Sequence, residues 1–242
     1  LVSKGLTFNF RIKPLLTWRA SAKLRPNMTF FINEEFVRTS VSPAEHDRLL
    51  ADGWRHFGRQ FFRYNLALYE NEIRLVVPLR IRIADFRPAQ SQERILRKNS
   101  DVEVSVGPVS VTAEVLDLFE RHKRRFKQHT PESIFTFIAE RPEDEPCDTY
   151  QQTMRVSDRL VAVGFFDVGE RSASAIYTAF DPDETRRSLG VFTILKEIEF
   201  ALENGMEFYY LGYSYSGRSF YDYKKRFHGT EAFEWNGVWS PV

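Results

Sequence analysis

The chain has 242 residues, with 34 Lys and Arg against 33 Asp and Glu, a formal net charge of +1; it does not coat DNA through bulk charge, although local basic patches stay open. Hydrophobic residues make up 43%, including 22 Phe, which is enough to fill a core and excludes a disordered chain. One cysteine rules out a disulfide framework and makes a cytoplasmic location the expectation, and neither a membrane-length apolar run nor a signal-peptide core is present.

In chain order, residues 1–26 are mixed and basic, and Leu1 in place of Met suggests that the natural N-terminus lies upstream. Met28 to Phe31 reads as a strand. Ser42-Pro43-Ala44-Glu45 reads as an N-cap followed by proline at the first helical position, with the helix ending at Asp52-Gly53. Trp54 to Phe57 and Gln60 to Leu68 make a hairpin around Gly58. Glu72 to Phe86 alternates apolar and basic residues, as a half-exposed strand does, and Pro78 within it suggests an edge or a bulge. Arg87 to Asn99 reads as a short charged helix. Thr112 to Lys127 is amphipathic, with Val115, Leu118, Phe119 and Phe126 on one face and five cations at its C-terminal end. Pro142 to Asp148 is the best linker candidate. Thr149 to Val156 and Arg159 to Val168 form an antiparallel pair turned at Ser157-Asp158.

The stretch 174–225 carries the chemistry. Ser172 to Phe180 reads as a strand stopped by Asp181-Pro182-Asp183, Gly190 to Glu203 as a helix, and Phe208 to Leu211 as a buried strand. Between the first strand and the helix, Arg186-Arg187-Ser188-Leu189-Gly190 sets two cations, a hydroxyl and a glycine at a helix N-terminus. Free N–H groups and the helix dipole make that an anion or phosphate site. The competing reading is that Asp183 or Ser188 caps the helix and both arginines are solvated.

Other chemistries lack support. There is no Gly-x-Gly-x-x-Gly and no phosphate-loop motif. Gly212-Tyr213-Ser214-Tyr215-Ser216 misses the serine-hydrolase elbow by its last residue. His46, His56, His122, His129 and His228 show no metal-ligand spacing, and with a lone cysteine no metal site is expected.

Strand, basic loop, helix, strand is the core of the acetyl-CoA N-acetyltransferase (GNAT) fold. More specifically, Tyr177…Asp181-Pro182-Asp183…Ser188-Leu189-Gly190…Glu197-Ile198…Tyr210-Leu211-Gly212-Tyr213…Tyr223-Lys224 resembles the C-terminal region of the aminoacyl-tRNA–protein transferases, which transfer arginine or, in bacterial relatives, leucine. Gly53-Trp54-Arg55-His56-Phe57-Gly58, Val77-Pro78-Leu79-Arg80-Ile81 and the Ser91-Gln92-x-Arg94-x-x-Arg97-x-Asn99 segment resemble the N-terminal region in the same order. The likeness runs from about residue 18 to about residue 227. It implies a mixed α/β sheet of GNAT-like type, with an N-terminal transferase region at 1–105 and a catalytic region at 106–242. The family's N-terminal cysteines, which in many members hold a metal or iron–sulfur centre, are missing from Trp18–Asn27 and Tyr64–Leu75, so cluster-dependent control is expected to be absent.

The resemblance implies aminolysis of an aminoacyl ester on tRNA by a protein or peptide N-terminal amine, with an acidic first residue on the acceptor. The ester is already activated, so no cofactor is needed, and positioning supplies much of the rate. The attacking amine must be neutral, which mild desolvation achieves from a reference pKa of about 7.7–8.0. Arg186, Arg187, Ser188 and Gly190 are expected to take the tRNA terminus, and Tyr177, Tyr210 and Tyr213 to line the ester site. Tyr223 and Lys224 are candidates for proton handling or oxyanion stabilisation, alongside Tyr177 and Tyr213 as catalytic groups. Asp181 and Asp183 would orient an amine or merely shape a turn. Arg94, Arg97, Lys98, Arg121, Lys123, Arg124, Arg125 and Lys127 are the tRNA-backbone candidates. No membrane and no DNA partner is expected. Two other classes stay open: an acyl-CoA-dependent N-acyltransferase, and a silent relative that binds tRNA or peptide without transfer.

Overall fold

The computed structural model describes residues 31–126, 130–142 and 145–242. The segment Trp18–Asn27, most of the strand expected at Met28–Phe31, and Lys127 lie outside the described residues. Phe31–Val242 form one compact unit, and no described helix is long and apolar enough to cross a membrane.

The elements in order are β1 (Asn33–Val37), α1 (Pro43–Ala51), β2 (Arg55–Phe57), β3 (Gln60–Tyr64), β4 (Leu66–Tyr69), β5 (Glu72–Arg82), α2 (Gln90–Lys98), β6 (Glu103–Pro108), α3 (Ala113–Lys123), β7 (Asp148–Val156), β8 (Arg159–Val168), β9 (Ser172–Phe180), α4 (Leu189–Glu203), β10 (Phe208–Tyr215), β11 (Thr230–Phe233) and β12 (Trp239–Pro241). A small sheet has the order β1-β3-β2. The main sheet runs β12-β11-β5-β10-β9-β8-β7-β6, with β4 beside β5. Every pairing is antiparallel except β9 with β10.

Local signals account for most of these elements. Ser42 accepts a hydrogen bond from the Glu45 amide at 3.2 Å and starts α1, with Pro43 in the first turn. Ser157 and Asp158 both take positive φ (47° and 66°), which is the backbone a two-residue hairpin between β7 and β8 requires. In α4, Phe192, Leu195, Ile198 and Ala201 are buried at helical spacing, and the helix ends at Asn204 ahead of Gly205.

Two expectations need correcting. β5 is not an edge strand: it lies inside the main sheet, paired with β10 on one side and with β4 and then β11 on the other. Pro78 is tolerated there because it falls where that second side changes partners. β4 covers Glu72 to Leu75 and β11 covers Leu79 to Ile81, so no neighbour on that side asks for the missing N–H. Nor is the linker candidate loose at its described residues 145–147. Glu145 is held by Arg59 and Arg141, the Pro146 carbonyl accepts from the Val41 amide at 2.8 Å, and Cys147 sits in a cluster with Val41 and Phe61.

Under the sheet, α4 buries two polar side chains, Thr193, whose hydroxyl donates to the Leu189 carbonyl at 2.9 Å, and Glu197. Glu197 is 1% exposed, and its only hydrogen-bonding partner among the described residues is the Tyr209 hydroxyl. Gly164 on β8 makes room for it, since a Cβ there would lie 2.7 Å from Glu197 Oε1. Burial raises the Glu197 pKa from 4.5 to about 8, against the smaller opposing pull of the Tyr209 hydrogen bond. A carboxyl so shifted holds its proton when folded and loses it when unfolded. The native state therefore binds the extra proton between pH 4.5 and 8, and stability declines as pH rises through that window, by up to about 1.4 kcal/mol per unit. Glu197→Gln should abolish this decline. Urea unfolding at pH 5, 6.5 and 8 should show the variant gaining on the wild-type protein at each step.

Candidate active site

The site is built where β9 and β10 part. The two strands run parallel and pair only at Ser172, Ala173 and Ser174 against Phe208, Tyr209 and Tyr210. Beyond them β10 shifts register against β5 between Tyr210 and Gly212, and Gly212 takes φ +82°, a backbone that glycine adopts without strain. Carbonyl groups in the gap lose their strand partners, and two cations take them up. Arg55 of β2 donates to Ser174 Oγ at 2.5 Å and to the Ala175 carbonyl. Lys224 Nζ donates to the Leu211 carbonyl at 2.7 Å and the Tyr213 carbonyl at 3.3 Å. Both lean over Gly212, where an added Cβ would sit 3.5 Å from Lys224 Nζ and 3.6 Å from an Arg55 nitrogen.

This proximity sets the chemistry of the lysine. Burial, then repulsion from Arg55, lowers the Lys224 pKa from 10.5 to about 7. A neutral amine there spends both hydrogens on the two carbonyls and keeps a lone pair free, which is what a general base near neutral pH needs. The tyrosines move the other way. Burial pushes Tyr177 and Tyr213 up and Tyr223 to about 12, so they stay protonated and can donate but not accept a proton.

Aromatic rings link the two strands across the gap. Tyr177 on β9 stacks on Phe137 with ring centroids 3.9 Å apart. Phe137 meets Phe57 at 5.1 Å, Phe57 meets Phe62 at 5.2 Å, and Phe62 meets Tyr213 of β10 at 6.2 Å. The Tyr213 hydroxyl donates to the Gly53 carbonyl at 2.7 Å, while the Tyr177 hydroxyl is buried without a partner among the described residues. Tyr210 stands apart from this wall: its hydroxyl lies 3.5 Å from Arg80 and its ring packs against Trp239. Tyr223 packs into the main core cluster.

At the far end of β9 the basic loop enters α4. Ser188 is in the left-handed region (φ 55°) and its side chain caps nothing, so the capping alternative does not hold for it. Asp183 makes no cap either; its amide bonds to Asp181 at 3.0 Å. The Leu189 and Gly190 amides have no acceptor among the described residues, and Gly190 approaches the Phe180 ring, 3.2 Å from a would-be Cβ. The two arginines divide. Arg186 is exposed, with no ion pair among the described residues. Arg187 pairs with Asp101 through two 2.8 Å bonds and with Glu184 at 2.9 Å, so it anchors the loop instead of offering a free cation. Asp181, 2% exposed, is gripped by Arg121 at 2.7 Å and Arg159 at 2.6 Å, which leaves it no freedom to orient an amine.

The tRNA-backbone candidates flank this loop on both sides. Arg94, Arg97 and Lys98 are exposed on α2, which packs on α4 and ends where Asn99 bonds the Arg187 carbonyl at 2.9 Å. On the other side Arg124 and Arg125 are exposed beyond α3, with Arg125 over the Phe180 ring at 4.3 Å. Arg97, Arg121 and Lys123 are partly committed, to Glu93, to Asp117 and Asp181, and to Glu120 respectively.

Residues 114–234 match the family model described as arginine-tRNA-protein transferase, C terminus. The chain belongs to the arginine-tRNA-protein transferase family. It is 32% identical over 197 residues to the aspartate/glutamate leucyltransferase of Stenotrophomonas maltophilia (strain K279a), covering 76% of this chain and 75% of that protein. It is 29% identical over 222 residues to the enzyme of the same description from Marinobacter nauticus, covering 89% and 88%. Among solved structures, FemX superposes with a TM-score of 0.52 at 10% identity over 84% of this chain and 70% of its own. The fold is GNAT-like, and the transferase is an enzyme that draws on aminoacyl-tRNA.

The family's N-terminal cysteine centre has no donor set in the described part of this transferase. The β4–β5 hairpin carries Tyr69, Glu70, Asn71 and Glu72 at its tip, and the chain's one cysteine lies elsewhere. A different cluster does form: the fold brings His46, His56, Cys147 and Asp167 together, although sequence spacing gave no sign of it. The other residue missed is Arg55. Its signal was the Gly-Trp-Arg-His-Phe-Gly motif, but nothing local shows that its guanidinium ends at β9.

The loop assignments separate by stability. Asp181→Ala removes two charge-assisted pairs and a turn bond and should cost about 2 kcal/mol. Arg186→Ala should stay within about 0.5 kcal/mol of the parent. Chemical denaturation of both variants checks the contrast.

Proposed function

We propose that the chain transfers leucine from leucyl-tRNA to the α-amine of a protein or peptide beginning with Asp or Glu. The observation that carries this reading is the convergence of Arg55 and Lys224 on Gly212, beside an aromatic wall, in the gap between β9 and β10. Arg55 keeps N–H groups beyond the two it spends on β9 and is the cation suited to the acceptor's carboxylate. Lys224 in its neutral form removes the proton from the attacking ammonium group. Attack on the ester carbonyl then gives a tetrahedral oxyanion, for which the Tyr177 hydroxyl is an unspent donor. Collapse expels the ribose oxygen of the tRNA terminus, the proton taken by Lys224 passes to that oxygen, and the second proton the nitrogen sheds on becoming an amide leaves to solvent. The rings of Phe57, Phe62 and Phe137 suit a leucyl side chain; a guanidinium cargo would meet two cations and no carboxylate in that wall. DNA has no role in this reading.

The tRNA terminus is assigned to Arg186, Ser188 and the free amides at Leu189 and Gly190, with Arg187 holding the loop in shape. Arg94, Lys98, Arg124 and Arg125 supply the backbone contacts on either side. The aspartate/glutamate leucyltransferase descriptions of the relatives support both the cargo and the acceptor class.

The direct test offers the protein leucyl- and arginyl-tRNA with peptides beginning with Asp, Glu, Lys or Ala. Label should move from leucyl-tRNA to the Asp and Glu peptides; transfer to Lys or Ala peptides, or from acetyl-CoA instead, would overturn the proposal. Arg186→Ala should raise KM for leucyl-tRNA several-fold, more steeply as salt increases, and leave KM for the peptide unchanged. The pH–rate profile should rise through about pH 7 as Lys224 loses its proton and flatten above it. Lys224→Gln should drop kcat by about 100-fold or more and erase the inflection near 7.

A further inference from the structure

We infer that His46, His56, Cys147 and Asp167 form a closed binding site for a divalent transition metal of the zinc class. The four come from separate elements: α1, β2, the residue just before β7, and β8. They are 1%, 5%, 4% and 1% exposed. One donor atom from each lies within 4.8 Å of all the others. Zinc bonds of about 2.0–2.3 Å in a tetrahedron put donor atoms about 3.3–3.8 Å apart, so closing around an ion asks for a contraction of about 1 Å at the widest pair.

Three features point to an ion and not merely to a buried polar contact. His46 is enclosed with neither ring nitrogen hydrogen-bonded, an arrangement that costs free energy unless something accepts its lone pair. Its Nε2 lies 3.9 Å from Asp167 Oδ2, too far for a hydrogen bond and wide enough for a metal between them. His56 is oriented as a ligand: Nδ1 lies 2.9 Å from the Gly58 carbonyl. A carbonyl can only accept, so Nδ1 bears a hydrogen and Nε2 is the nitrogen turned to Asp167 Oδ2, 2.6 Å away; an ion takes the place of that hydrogen bond and asks the two atoms to part by about 0.7 Å. Asp167 is held in turn by the Thr149 hydroxyl at 2.7 Å, the outer support that ligating carboxylates usually have. Charge balances as well. Two neutral imidazoles, one thiolate and one carboxylate around a dication sum to zero, as a site sealed from water requires. Without an ion, the His56–Asp167 hydrogen bond accounts for those two residues and packing beside Val41 and Phe61 accounts for Cys147, but His46 stays enclosed with both ring nitrogens unpartnered.

The site's place gives it a structural task. It ties α1 and the small sheet to β8, and it fixes the residue next to Arg55, whose guanidinium reaches the β9–β10 gap.

The test uses the full chain, expressed without a histidine tag and purified without chelator. Elemental analysis should find about one zinc per chain. After removal with a chelator, Co2+ should restore one equivalent with a thiolate-to-metal charge-transfer band and tetrahedral d–d bands. Cys147→Ser should lose the charge-transfer band and His46→Gln should weaken Co2+ binding more than about tenfold, whereas His228→Gln should change neither. Substoichiometric metal after loading with excess zinc, or an octahedral Co2+ spectrum, would overturn the assignment. Both readings come from the wild-type chain and stand even if a variant fails to fold. Neither involves transfer activity, so the outcome is separate from that of the leucyl-transfer test.

Discussion

Everything at the site depends on the point at which β9 and β10 stop pairing. Two parallel strands that part in the middle of a sheet leave carbonyl groups in a desolvated gap, and such groups need donors. Here the donors are cations, Arg55 on Ala175 and Lys224 on Leu211 and Tyr213. Gly212 lets both approach. The same hydrogen bonds that hold the gap open thus crowd two positive charges into it, and that crowding, together with burial, brings Lys224 down to about 7. Structural satisfaction of the backbone and the lowered pKa of the lysine are one interaction.

That arrangement also joins elements from early and late in the chain within one compact unit. β5 lies between β10 and β11 in the main sheet. β2 carries Arg55 to β9, a contact between residues 119 apart in sequence. Gly53, just ahead of β2, receives the hydroxyl of Tyr213, and Phe57 and Phe62 complete the aromatic wall. The gap is made by the strands of one half and is lined and charged by the other.

What could be read from the sequence was what neighbours along the chain decide. The β7–β8 hairpin, β9 stopped by Asp181-Pro182, α4 with its apolar stripe and the burial of β10 all follow from period and turn chemistry. Errors arose wherever a distant partner decides. Pro78 signals an edge or a bulge by local rule; β10 does shift register beside it, but the strand is interior, and a change of partner from β4 to β11 makes the proline harmless there. Arg186 and Arg187 are equivalent in sequence, and Asp101, 86 residues away, together with Glu184 makes one an anchor and leaves the other exposed. Cys147 in an acidic, proline-containing stretch looked idle until folding set it against His46, His56 and Asp167.

The same pairing resolves how a chain of net charge +1 can carry the basic face proposed for tRNA. Its carboxylates are not spread evenly against its cations. Around the loop before α4 they are spent on particular arginines: buried Asp181 holds Arg121 and Arg159, and Glu184 and the exposed Asp101 hold Arg187. These pairs neutralise the inner arginines and fix the loop backbone, so that Ser188 keeps its left-handed turn and the first amides of α4 stay unspent. Outward, Arg94, Lys98, Arg124, Arg125 and Arg186 remain exposed and uncompensated among the described residues. A phosphate backbone responds to potential over about a Debye length, roughly 8–10 Å, and not to the sum over the whole molecule. Spending the acidic groups on one set of arginines therefore leaves a basic band around the loop at almost no net charge, with the paired groups serving as the scaffold that holds it.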